Sequence, residues 1–318
     1  MKKLQIKYYL FLYFEKATCR LISAGAFIFL LLPSVGQAQQ FFNYNQYMNN
    51  MTPFNPAYSL LDKNGSLGTS LKKQWTGIQG APSTFIFNSS FPIEPIGSAA
   101  GVFVLNDQLA VESMTEVDAF FAKSVELSDG DYLGVSLNAG VKRYSADYSS
   151  LDANDPAFRN NARENNVNIG FGVMLYSDNY YVGVSVPESN ITSLGQASSK
   201  DNNYFRSHFN FSGACLLGNY AQDFRFKPAF LAVYTKGEPF VANLSGVLYI
   251  KNTFGIGGNY RSNKEMAGLI SIVLSSFKFG YSYQLSVARG FSSTFSNAIH
   301  EITLSYRFGN HLGDINLL

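Results

Sequence analysis

His208, His300 and His311 are the only imidazoles in a chain of 318 residues. A hydrolytic triad or a metal centre needs several such groups converging on one point, and three scattered histidines offer little to build with. His300 and Glu301 are adjacent, so on a strand their side chains point to opposite faces and cannot form one acid–base pair. A structural place for His300 near an interface is the better expectation. His208 and Asn210 share a face of an extended segment, a pair that some lipases combine with a serine, yet no particular serine is singled out. Cys215 stands in the apolar run 213–217 and reads as a packed or lipid-facing thiol rather than a nucleophile. Gly255-Ile256-Gly257-Gly258 lacks the helix and the Lys-Ser or Lys-Thr of a phosphate loop, so these glycines mark bends or close packing in a strand. Asp152-Ala153-Asn154-Asp155 puts carboxylates in a loop but lacks the glycine and distal glutamate of a calcium loop; it reads as solvated. No catalytic, cofactor-binding or metal-ligating residue is expected. Trp75, the single tryptophan, is followed by Gly77, Gly80 and Pro82, which suggest a shaped loop. Its ring suits either the headgroup level of a membrane or contact with a partner.

The elements that position these residues follow from composition. The chain is 46% hydrophobic and 15% aromatic but only 14% charged, where a soluble domain carries about a quarter charged residues. That excludes a disordered chain, and the formal charge of +2 gives no basic footprint for nucleic acid. Mean hydropathy near zero excludes a polytopic helical membrane protein.

Residues 1–38 carry five basic residues and Glu15, then an apolar stretch from Leu21 to Val35 and the small residues Gly36 and Ala38. This predicts a secretory signal peptide cut after Ala38. Without it, the chain holds 19 basic and 21 acidic residues, read from the totals of 24 and 22, and Cys215 stands alone.

After Ala38, period-two alternation recurs. Leu133, Val135, Leu137, Ala139 and Val141 alternate with Gly134, Ser136, Asn138 and Gly140; Phe277, Phe279, Tyr281, Tyr283 and Leu285 alternate with Lys278, Gly280, Ser282 and Gln284. One face is bulky and apolar, while the other is small, polar and lightly charged. Such segments, separated by turn residues, are the pattern of a transmembrane barrel with lipid outside and a polar lumen; a large secreted sandwich would place more charge outside. Fourteen antiparallel strands are expected, at 65–73, 83–91, 98–106, 114–127, 131–144, 166–176, 179–187, 204–217, 224–235, 240–250, 253–262, 267–276, 277–287 and 298–308. The segments 224–235, which contains Pro228, and 267–276 alternate least regularly. Turns at 128–130, 177–179, 251–252 and 275–276 fall on one side and the long connections 145–165, 188–203 and 288–297 on the other, with 236–239 a short exception on that outer side, the asymmetry of periplasmic turns and external loops. Residues 39–64, uncharged as far as Pro56 and rich in Asn, Gln and aromatics, are expected to plug the lumen or pack along the periplasmic rim, and 309–318 form a tail.

Several blocks carry a resemblance. They are Gln46-Tyr47-Met48, Phe54-Asn55-Pro56-Ala57-Tyr58, Gln74-Trp75-Thr76-Gly77 through Gly80-Ala81-Pro82, Gly257-Gly258-Asn259-Tyr260-Arg261, and His300-Glu301-Ile302-Thr303-Leu304-Ser305-Tyr306-Arg307-Phe308. In this order they resemble the PorP/SprF family of outer-membrane proteins of the Bacteroidota type IX secretion system. The resemblance implies an outer-membrane multi-pass barrel without enzymatic activity or cofactors. It implies support for export and surface attachment of a partner adhesin, including gliding-motility adhesins, through a C-terminal sorting domain. Other secretion components and outer-membrane lipid are the remaining partners. The family-signature or partner-contact candidates are Asn55, Pro56, Tyr58, Trp75, Gly77, Gly80, Pro82, His300, Glu301 and Phe308. Many family members stop near the Tyr-Arg-Phe end, whereas ten residues follow Phe308 here. A barrel of this size also admits a second reading, an outer-membrane channel or hydrophobic-solute transporter.

Overall fold

The computed structural model describes residues 44–75, 77–150, 155, 160–191, 206–219, 221–286, 298–310 and 317–318. The expected signal peptide, the Asp152–Asn154 carboxylate loop, His311 and most of the long connections lie outside them. The chain forms β1 (Gly65–Gln74), β2 (Ser83–Ile93), β3 (Ser98–Leu109), β4 (Glu112–Ser128), β5 (Asp131–Ala146), β6 (Ala162–Tyr176), β7 (Tyr180–Ile191), β8 (His208–Cys215), β9 (Phe224–Thr235), β10 (Val241–Ile250), β11 (Phe254–Arg261), β12 (Glu265–Val273), β13 (Phe277–Ser286) and β14 (Ile299–Phe308). Each strand pairs antiparallel with its sequence neighbours. The sheet closes where β1 meets β14, with Leu67 opposite Tyr306 and Lys72 opposite Glu301. Closure leaves no strand at an open edge of the sheet among the described residues, which is what lipid requires of a sheet.

Alternation decides the two faces. Leu137, Phe171, Val184, Ile256, Ile270 and Ile302 point outward at 50–65% exposure, an apolar band fit for lipid. Ser136, Asn138, Asn168, Ser185, Asn243 and Ser282 point inward and are buried. The least regular expected strands are both present. Pro228 is accommodated because the β8–β9 ladder ends at Ala214–Ala229, so its missing N–H falls in a gap before the Leu217–Phe226 bridge.

Two boundaries differ from expectation in ways that matter. The connection between β3 and β4 is only Ala110-Val111. β7 continues past Pro187 to Ile191, because a bulge places Pro187 and Glu188 together between the Ile169–Ser189 and Phe171–Val186 pairs. The extra residue shifts the alternation by one, so inward positions change from Tyr181, Gly183 and Ser185 to Glu188.

The core sits inside the barrel. Residues 44–61 enter the lumen as two short 3-10 turns, Tyr47–Asn49 and Pro56–Leu60. Tyr44, Tyr47, Met48, Met51 and Phe54 are at most 2% exposed and pack against inward Met174, Tyr181, Leu231, Val247 and Tyr249. Burying each such side chain stabilises by about 1.5–3 kcal/mol. Leu317 and Leu318 join this cluster.

Candidate functional site

The N-terminal segment is held by bonds that use its backbone as much as its side chains. Glu301, fully buried on β14, accepts the backbone N–H groups of Asn45 at 2.8 Å and Gln46 at 3.0 Å. Tyr47 reaches across the lumen to the Ala229 carbonyl at 3.2 Å and the Ser245 hydroxyl at 3.1 Å. Burial pushes its phenol well above the usual range, so it stays a donor. Lys227 donates to the carbonyls of Met48 at 2.5 Å and Leu317 at 2.7 Å.

Asn55 caps the second turn. Its Oδ1 accepts the Ala57 N–H at 3.1 Å, and its Nδ2 donates to the carbonyls of Val173 at 3.2 Å and Val184 at 3.4 Å. That approach to the wall requires glycine at 172, where a Cβ would overlap the Asn55 amide. Pro56 opens the turn at a position where no N–H is needed. Tyr58 donates to the Leu318 carbonyl at 2.5 Å and meets the Tyr181 ring edge-on at 5.5 Å.

The other candidates lie apart. Trp75 ends β1 in a left-handed conformation, φ 47°, and its N–H bonds the Ala298 carbonyl at 3.1 Å. Gly77 and Gly80 also take positive φ in this loop, and the Gly80 carbonyl receives the Ala110 N–H at 2.9 Å, tying the Trp75 loop to the β3–β4 turn. His300 faces outward and its Nδ1 lies 2.8 Å from the Tyr281 hydroxyl, whereas Glu301 faces the lumen. Phe308 packs by Phe91 at the short-turn end of the barrel, at 5.7 Å between centroids. Cys215 is buried against Tyr180 and Phe230. His208 and Asn210 do share the lumen face, but Asn210 donates to the Phe54 carbonyl at 3.3 Å, which spends it on holding the N-terminal segment.

Above that segment, a cavity of about 380 Å³ opens at the end carrying the long connections. Thr52, Pro53 and Phe54 form its floor; Pro82, Leu109, Arg206 and Glu238 form its rim. On β4, Glu116 and Asp118 stand between Met114 and Phe120 on the inward face, with Leu105 and Phe103 of β3 opposite them in register; Lys142, Glu188 and His208 complete the lining. Lys142 Nζ lies 3.1 Å from Glu116 and is also paired with Glu188, whose other oxygen is 3.3 Å from His208 Nδ1. Asn168 Nδ2 donates to Glu116 at 2.7 Å.

This corrects the expectation of a lightly charged lumen. The charges are spread over β4, β5 and β7, with Glu116 and Asp118 on β4, Lys142 on β5 and Glu188 on β7, and only strand pairing gathers them. The sequence pattern leaves Glu188 in the connection 188–203 because the bulge breaks the period. Pro187 within a strand run is the signal that could have revealed it.

The barrel resembles solved outer-membrane proteins at low identity. The monoaromatic hydrocarbon channel CymD matches at 12% identity and TM-score 0.49, over 87% of this chain and 96% of its own. The Pseudomonas putida toluene transporter TodX matches at 10% and 0.48, over 86% and 99%. A Pseudomonas aeruginosa FadL homologue matches at 9% and 0.47, over 81% and 94%. No curated protein matches the sequence. The family model for type IX secretion system membrane protein PorP/SprF matches residues 36–306.

Proposed function

Because the chain belongs to the PorP/SprF family of type IX secretion system membrane proteins, we propose that this outer-membrane barrel supports export and surface attachment of one partner adhesin by receiving its C-terminal sorting domain at the outer mouth. Family membership places the protein among the secretion components in the outer membrane. The observation that carries the finer reading is the arrangement of the lumen. The segment 44–61 fills its middle, and a cavity of about 380 Å³ opens at the long-loop end. A filled lumen with an outward cavity suits docking better than conduction. The Trp75 loop and the long connections supply contact elements, through sheet-edge or loop recognition of a folded domain. Other secretion components and lipid surround the barrel in this reading, and no chemistry is assigned to it.

The test is deletion of the gene with complementation by the intact chain. The adhesin should be lost from the surface on deletion, accumulate in the periplasm or medium, and return on complementation. Normal surface levels in the deletion strain would end this reading. The channel reading predicts instead that the purified barrel conducts ions or takes up apolar solutes with residues 44–61 in place.

A further inference from the structure

The outward cavity holds two buried acceptors that the barrel itself does not satisfy. Asn138 donates through Nδ2 to the Pro187 carbonyl at 2.8 Å, which fixes its Oδ1 as an acceptor, and that oxygen has no hydrogen-bond partner. Asp118 receives Asn168 Nδ2 on Oδ2 at 3.4 Å, while its Oδ1 has no partner. Asn138 is 6% exposed and Asp118 4%, and both line the cavity. Gly140, opposite Asp118 in register, leaves the carboxylate its space; a Cβ there would overlap it. Buried acceptors without donors are costly and are normally filled. The local charge points the same way. Six acidic side chains line the cavity against two permanent cations, and those are engaged: Lys142 by Glu116 and Glu188, Arg206 by Glu238 at 3.5 Å. The apolar neighbours are aromatic, Phe103 opposite Asp118 in register on β3 and Phe120 opposite Asn138, rings suited to a cation and its hydrocarbon stem.

We infer that this cavity binds an alkylammonium or guanidinium group on an apolar stem, carried either by a small amphipathic amine or by a lysine or arginine side chain of a protein segment. The cation's N–H groups bond Asp118 Oδ1 and Asn138 Oδ1, and its stem lies against the adjoining rings of Phe103 and Phe120. A carboxylate ligand meets like charge here, and a plain hydrocarbon leaves both acceptors unfilled. The inference does not rest on the export reading.

Calorimetry on the full chain in lipid nanodiscs tests it, with hexylamine, hexanol and hexanoate as probes. Hexylamine should bind at least tenfold more tightly than hexanol, and hexanoate should not bind. Asp118→Asn should weaken hexylamine at least tenfold and leave hexanol unchanged. A blocked Leu-Lys-Leu peptide, set against its norleucine counterpart, separates the sources. Tighter binding than hexylamine assigns the cation to a protein segment; weaker binding assigns it to a free amine. Equal affinity of the wild-type chain for hexylamine and hexanol would overturn the inference, and that comparison needs no variant to fold. Amine binding that survives while adhesin display proves independent of the gene removes the export reading alone.

Discussion

Glu301→Gln isolates what pins the N-terminal segment. The wild-type carboxylate accepts two backbone N–H groups, from Asn45 at 2.8 Å and Gln46 at 3.0 Å. The amide that replaces it has one acceptor oxygen and turns an NH2 toward the second donor. One hydrogen bond to a charged group is lost, worth about 1.5–3 kcal/mol, and a buried N–H is left without a partner, so the cost is about 3 kcal/mol. At that size the opening equilibrium of residues 44–46 shifts about 150-fold. The shift should stay local. Phe54 and Met51 remain packed at 1% exposure, and Asn55 keeps its bonds to Val173 and Val184. Hydrogen exchange on the folded barrel in lipid is the assay. The Asn45 and Gln46 amides should exchange about two orders of magnitude faster, with Ala57 and the strand amides unchanged. Unchanged exchange at Asn45 and Gln46 would refute the assignment of Glu301 as the anchor. Acceleration across the whole of 44–61 would refute the claim that the two turns are held separately.

Other outcomes follow from the same geometry. Gly172→Ala drives a methyl into the Asn55 amide and the Ser136 hydroxyl and should cost about 1–3 kcal/mol, seen as faster exchange at Ala57. Lys142→Met leaves Glu116 and Glu188 buried without their cation and should destabilise the barrel by about 3–5 kcal/mol in urea unfolding from vesicles. Ile270→Arg, on the lipid face at 56% exposure, should cost about 2–4 kcal/mol if the residue lies near the bilayer midplane in the same assay, while Ser271→Ala beside it in the lumen should change stability far less.

Much of the barrel was legible because each strand reports its own environment. The alternation in β5 and β13 is set by lipid on one side and lumen on the other, and it needs no knowledge of neighbouring strands. The pattern weakened where strands stop being simple. β9 is apolar on both faces because Ala229, Leu231 and Val233 meet the N-terminal segment inside. β7 changes phase at the Pro187–Glu188 bulge. Asn55, Pro56 and Tyr58 stood out as a block, but their reason for standing together, a capped turn under β6 and β7, involves Val173 and Val184 more than a hundred residues away.

The sequence alone therefore determined the barrel, its strand number and which side chains face lipid, since these depend on local period and on turn residues. Tertiary structure decided that residues 44–61 fill the lumen, because Glu301 and Lys227 grip main-chain groups that any sequence presents. It also decided the charged cavity. Glu116, Lys142 and Glu188 are unremarkable in their own strands and become a cluster only when strand register and one bulge bring them within ion-pair distance.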